Sequence, residues 1–154
     1  MRADLTPMHL HERLLAGESA TQVIGDLYGR PVRVRRLTCD AVPLSPRQHV
    51  ALAPTPTEPA CHRRVMLVAA GAAVSEADIW YIPARLWPGM AETLRGTDTP
   101  FGTVVRPMRP TRDTLATRFC DPGEPFVLEH EALLRAGTGT PIALVTERYL
   151  APRG

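Results

Sequence analysis

The sequence predicts an α+β fold, a single antiparallel β-sheet with helices covering a buried ligand pocket. Three observations carry this. The first 29 residues read as two short amphipathic helices. Later segments alternate apolar and polar residues at period two around glycine turns, and one helical excursion interrupts those strands. A length of 154 residues suits one core, so residues 1–154 are expected to form a single domain.

The elements follow in order. Thr6 and Pro7 make a helix N-cap and first helical position, Leu10, Leu14 and Leu15 form an apolar stripe, and Gly17 is the stop. Ser19 caps a second helix carrying Val23, Ile24, Leu27 and Tyr28, which Gly29 ends. An amphipathic pair of this kind must cover something. In PVRVRRLTC, Val32 and Val34 alternate with Arg33 and Arg35, the pattern of a half-buried strand. The proline-rich stretch from Pro43 to Pro59 reads as an irregular surface connection. RRVMLVAAGAAVSEADIWYIP holds two strand-like runs with Gly71 near the turn, a hairpin. PARLWPGMAETLRG is helical, with Pro88 disturbing its first turns; TPFGTVV and TRDTLATRF are shorter strand candidates. In FVLEHEALLRA, Phe126, Leu128, His130, Ala132 and Leu134 share one side at period two. GTGT then turns the chain and PIALVTERYLA returns, which favours a hairpin over a helix for 126–136.

Composition excludes several classes of function. All eighteen basic residues are Arg, and Lys and Asn are absent, a bias that GC-rich codons explain without any anionic ligand. The net charge of +2 is too mild for a nucleic-acid footprint, and the helix in SATQVIGDLYG has no Arg to meet a phosphate or guanine. No apolar run approaches the roughly 20 residues that span a bilayer, and Asp4, His9, His11 and Glu12 interrupt the N-terminus, so a cytoplasmic protein is expected. Cys39, Cys61 and Cys120 match neither a zinc spacing nor a disulfide framework and read as free thiols. The five His residues imply no metal site; His130, on an apolar face, reads as a core histidine, and Trp80 and Trp87 as packing residues.

Glu147 is the residue that asks for an explanation. It shares a face of PIALVTERYL with Ala143, Val145 and Tyr149, so its carboxyl points into apolar surroundings, while Arg148 faces the other way. In RRVMLVAA, Arg64 shares a face with Met66 and Val68, and Arg63 with Val65 and Leu67; at least one begins on a face that turns apolar. Pattern alone favours a structural role, with Glu147 and Arg64 forming a buried pair or fraying into solvent at strand ends.

Four segments, in order, resemble the chorismate lyase family: HERLLAGESATQVIGDLYG, RRVMLVAAG with VSEADIWYIP, LRGTDTPFGTVV, and GTGTPIALVTERYL. Residues 38–60 carry no such likeness. The resemblance implies a cofactor-free carbon–oxygen lyase of aromatic biosynthesis, converting chorismate into 4-hydroxybenzoate and pyruvate. By motif position it implies Arg64 and Glu147 as catalytic residues, the first clamping a carboxylate and the second acting as a neutral general acid. Ala20 and Phe101 would supply backbone amides to the substrate, and Asp78 would stand at a pocket position where some members have Gly. An acidic Asp78 there would repel a dianion, which keeps another carboxylated substrate in view. The partner would be a small molecule, with no nucleic acid, membrane or metal, and the chain a monomer or weak homodimer. The effector domains of one class of bacterial regulators share this fold, and a small-molecule-sensing module is therefore the rival. Those regulators add an N-terminal winged-helix domain for which no room was expected here.

Overall fold

The computed structural model describes Glu12, residues 31–69 and residues 71–150. Apart from Glu12, which is helical, the helices expected over 6–29 lie outside the described residues. Six strands, β1 (Val32–Val42), β2 (Ala60–Ala69), β3 (Ala72–Tyr81), β4 (Thr111–Phe119), β5 (Phe126–Arg135) and β6 (Pro141–Leu150), form one antiparallel sheet. Their order is β1-β2-β3-β6-β5-β4, so the two hairpins expected from the sequence sit side by side at the centre. Each hairpin turns at a glycine in the left-handed region, Gly71 at φ +80° and Gly139 at φ +92°, where a Cβ would be strained.

Paired residues on neighbouring strands share a face of the sheet. One face, here the front, carries the row Arg63–Ile79–Val145–Ala132 and, next to it, Val65–Ala77–Glu147–His130. The back carries Arg64–Asp78–Thr146–Glu131. Helices α2 (Met90–Gly96) and α3 (Phe101–Val105) cover one end of the front, where Met90, Leu94, Phe101 and Val105 bury Ile79, Tyr81, Ala143 and Val145. At the other end Leu67, Ala69, Val74, Leu128 and Tyr149 pack together. On the back, helix α1 (Pro46–Leu52) inserts Leu52 among Ala60, Ile82, Leu133 and Leu144.

Two local expectations are corrected. The proline-rich connection contains α1, begun by a capping box in which the Ser45 hydroxyl accepts from the Gln48 amide and the Gln48 side chain accepts from the Ser45 amide. TPFGTVV is helical, not extended: Phe101 and Val105, four residues apart, are buried together while Gly102 and Thr103 face out. Pro88 does delay the helical excursion, which makes a 3-10 turn at Pro83–Arg85 before α2 begins at Met90. Among the described residues no helix is long and apolar enough to cross a membrane.

Arg85 fastens this end of the molecule. Its guanidinium donates to the carbonyls of Leu52, Ala53 and Pro141 and, through Nε and Nη2, to both carboxylate oxygens of Glu58. One side chain therefore joins the end of α1, the following loop and the start of β6. Arg85→Ala should lower folding stability by about 2 kcal/mol, because half-buried carbonyls lose charge-assisted donors. The same clamp and the Thr55 amide hold the Glu58 carboxyl down to about 2, from an ordinary 4.5. A depressed carboxylate pKa contributes stability above the unfolded value and loses it as pH falls toward the folded one. Acid melts of the wild-type chain should lose this contribution between pH 4.5 and about 2. Arg85→Ala should flatten that limb; an unchanged acid limb would refute the clamp.

Candidate functional site

The front face carries four buried polar side chains in an otherwise apolar layer. Arg63, on β2, is 0% exposed. Alternation places it there, since Val65 and Leu67 of the same strand also point into the core. Its Nη2 donates to the carbonyls of Thr97 (3.0 Å) and Thr99 (2.8 Å), in the loop that enters α3. Burial lowers the pKa of this guanidinium, and its Nε and Nη1 have no hydrogen-bond partner among the described residues. Beside it the apolar Phe101 opens α3 and packs on Tyr81 with ring centroids 5.6 Å apart. Helix geometry leaves the first amides of such a turn without intrahelical acceptors.

Across the half-buried Ala77, whose small side chain leaves the middle of the face low, stands Glu147. The Tyr149 hydroxyl donates to its Oε2 at 3.0 Å, and Arg112 Nη2 approaches Oε1 to 2.6 Å as an ion pair off the hydrogen-bonding line. Burial, then the Glu147 charge, pushes the Tyr149 phenol well above its ordinary pKa, which keeps it a donor. For Arg112 burial works against the cation, but the Glu147 carboxylate outweighs it and the net shift is upward. His130 lies beside Glu147 in register, 0% exposed and edge-on to Tyr149 at 6.2 Å.

The structure separates the residues that the motifs brought together. Arg64 and Glu147 lie on opposite faces: Arg64 is half exposed on the back, where Nη2 donates to Glu76 at 3.1 Å. A one-residue shift along a strand moves a side chain to the other face, and Arg63, its neighbour, faces Glu147's side. Asp78 is also on the back, buried between His62 (2.7 Å) and Arg148 (3.0 Å), so it lines no front-face pocket. Phe101 and Glu147 are both on the front, and Ala20 lies outside the described residues. Glu147 has a counter-charge in Arg112, unlike the unpaired setting its strand pattern implied. Sequence reasoning missed Arg112, which sits on an edge strand that alternation marks as exposed and reaches Glu147 from two strands away. Arg63 was legible as one of two alternatives, through Val65 and Leu67.

Two further features bound the chemistry. Among the described residues no group of three or more His, Cys, Asp or Glu is placed to hold a metal ion. An open cleft of about 510 Å³ lies at the β5–β6 turn, lined by Arg85, Trp87, Met108, Arg109 and Thr140 among others, and includes neither Arg63 nor Glu147.

No family model matches the chain. It is similar to the uncharacterized protein y4mC of Sinorhizobium fredii, 37% identical over 115 aligned positions that take in 61% of this chain. The chain spans about half of that relative, 48% of its length. Among solved structures it matches the effector domain of PhnF from Mycobacterium smegmatis with a TM-score of 0.66 at 14% identity, covering 88% of this chain and 90% of that one. PhnF itself matches at 0.65 and 14% identity, over 87% of this chain and 64% of PhnF. A GntR-family transcriptional regulator from Bacillus cereus matches at 0.58 and 9% identity, over 77% and 91%. The fold is thus the one that GntR-family effector domains share with chorismate lyases. These likenesses overturn the expectation of a carbon–oxygen lyase of aromatic biosynthesis: each of these solved structures is a regulator or its effector domain, not a lyase.

Proposed function

We propose that this chain is a small-molecule-sensing module whose effector is a small anion, a carboxylate or a phosphate ester, held on the front face of the sheet. One observation carries the reading. Arg63 is wholly buried with two nitrogens, Nε and Nη1, unpartnered among the described residues, and a buried cation without a counter-ion is costly unless a ligand supplies the charge. Nε and Nη1 can each donate to an oxygen of a carboxylate or phosphate, and the first amides of α3, which helix geometry leaves without intrahelical acceptors, lie beyond the loop that Arg63 holds. The Glu147–Arg112–Tyr149 group, across Ala77, supplies the far wall and would bond the ligand's hydroxyl or amine groups. The PhnF domain is described as an effector domain, and the shared fold supports the same use here. Within this reading residues 1–154 act as one domain, in the cytoplasm, as a monomer or weak homodimer.

Titration calorimetry with small carboxylates, phosphate esters and inorganic phosphate, followed by NMR of each mixture, tests the proposal. The expected result is one-to-one binding of at least one anion, with the ligand recovered unchanged. Binding by none of them, or conversion of the bound anion to product, would overturn it.

A further inference from the structure

We propose that Cys39 and Cys61 form a two-coordinate site for a soft monovalent metal ion, Cu(I), at the β1–β2 end of the front face. Cys39 is registered opposite Arg63, and Ala41 opposite Cys61, so the two thiols are diagonal neighbours on one face of adjacent strands. Tyr81, registered opposite Cys61 on β3, brings its hydroxyl to 3.2 Å from Cys39 Sγ. The residue opposite one cysteine thus bonds the other. Both cysteines are half-buried and pack against the cluster of Tyr81, Leu94 and Phe101, so they are reachable without being loose.

The spacing selects the chemistry. Diagonal partners in an antiparallel pair stand about 7–8 Å apart at Cα, beyond the roughly 4.4–6.8 Å of a disulfide. A metal ion between two thiolates spans about 4.6 Å from sulfur to sulfur, twice a metal–thiolate bond of roughly 2.3 Å, and so bridges a gap that a disulfide does not. Thiolates favour Cu(I), zinc and iron–sulfur centres, and the last two take four ligands. Asp40 and His62 are paired with each other in register, one position off the cysteine face, and no four-ligand set is assembled there among the described residues. Two sulfurs suffice for Cu(I). Binding forms two Cu–S bonds and releases two thiol protons to solvent, with no change of oxidation state. The product, a dithiolate around one monovalent ion, carries a net charge of −1. Arg63, directly opposite Cys39 and with Nε and Nη1 unpartnered among the described residues, balances that charge. The inference does not rest on the anion-sensing reading, although the two uses of Arg63 would compete.

The test is an anaerobic titration of the reduced full chain with Cu(I) against a colorimetric Cu(I) chelator, with Zn(II) in a parallel series. One Cu(I) should bind per chain and resist the chelator. Cys39→Ser and Cys61→Ser should each abolish this binding, Arg63→Met should weaken it roughly 10- to 100-fold, and Cys120→Ser should leave it unchanged. If a serine variant misfolds, wild-type protein answers: one equivalent of Cu(I) should protect Cys39 and Cys61, but not Cys120, from alkylation, read by mass spectrometry. No retention against the chelator, equal retention of Zn(II), or protection centred on Cys120 would each overturn the proposal. Loss of anion binding with Cu(I) retention intact would count against the function proposed above and not against this site.

Discussion

Arg112→Met is expected to lower folding stability by about 3 kcal/mol, because it strands the Glu147 carboxylate in the core with no counter-charge. Glu147 is nearly buried, with a side chain 10% exposed against 27% for Arg112, so the carboxylate bears most of the penalty. For a chain of this size that loss corresponds to a melting temperature lower by about 6–12 °C. Adding Glu147→Leu should recover most of the loss, since an apolar pair of similar volume replaces a buried ion pair at little net cost. The single change would then prove worse than the double, a sign of coupling that independent contacts do not give. Denaturant melts of the four members of the cycle decide it. A single variant within about 0.5 kcal/mol of wild type would mean that water reaches Glu147 and solvates its charge.

The second large effect falls on binding and not on stability. Arg63→Met removes a buried cation that is only half satisfied, so its cost in folding should be small. The calorimetric affinity for the anionic effector should fall by at least about 100-fold, roughly the worth of one or two hydrogen bonds to a charged group. Arg63→Lys should recover only part of this, because an ammonium keeps the charge but lacks the planar fork. Arg64→Met, on the opposite face, should leave the affinity within about twofold, a change of only some 0.4 kcal/mol. The contrast between adjacent residues is the decisive readout: if Arg64→Met weakened binding as much as Arg63→Met, the effector would not lie on the front face.

That contrast also shows where the sequence was legible and where it was not. Period-two alternation and glycine turns located both hairpins, because a strand with a core on one side writes its register into its side chains. Alternation says which residues share a face; it does not say which face meets the ligand. Arg63 and Arg64 therefore stood one residue apart as alternatives, and motif spacing, which tolerates a shift of one, pointed to Arg64, which lies on the face opposite Glu147. Helix α1 was hidden by prolines, although Ser45 and Gln48 carry a capping signal at the right spacing and Pro46 is a favourable first helical residue. Helix α3 is too short for its period to declare itself, with only Phe101 and Val105 to mark it. Arg112 had no local signal at all. Its partner Glu147 is 35 residues further along the chain (147 − 112), joined to it only by the strand order β6-β5-β4.

That order leaves β4 with one neighbour among the described residues, and its ladder to β5 breaks between Thr114 and Ala116. Leu115, at the break, is 47% exposed and Phe119, at the strand's end, 44%. Open backbone groups beside apolar side chains are what growing fibrils extend from. The irregularity at Leu115 cuts the nine residues into two short runs, neither long enough to template an incoming strand in continuous register. Arg112, Asp113 and Arg118 place charges in both runs. The edge that brings a counter-charge to Glu147 is thereby also guarded against self-propagating aggregation.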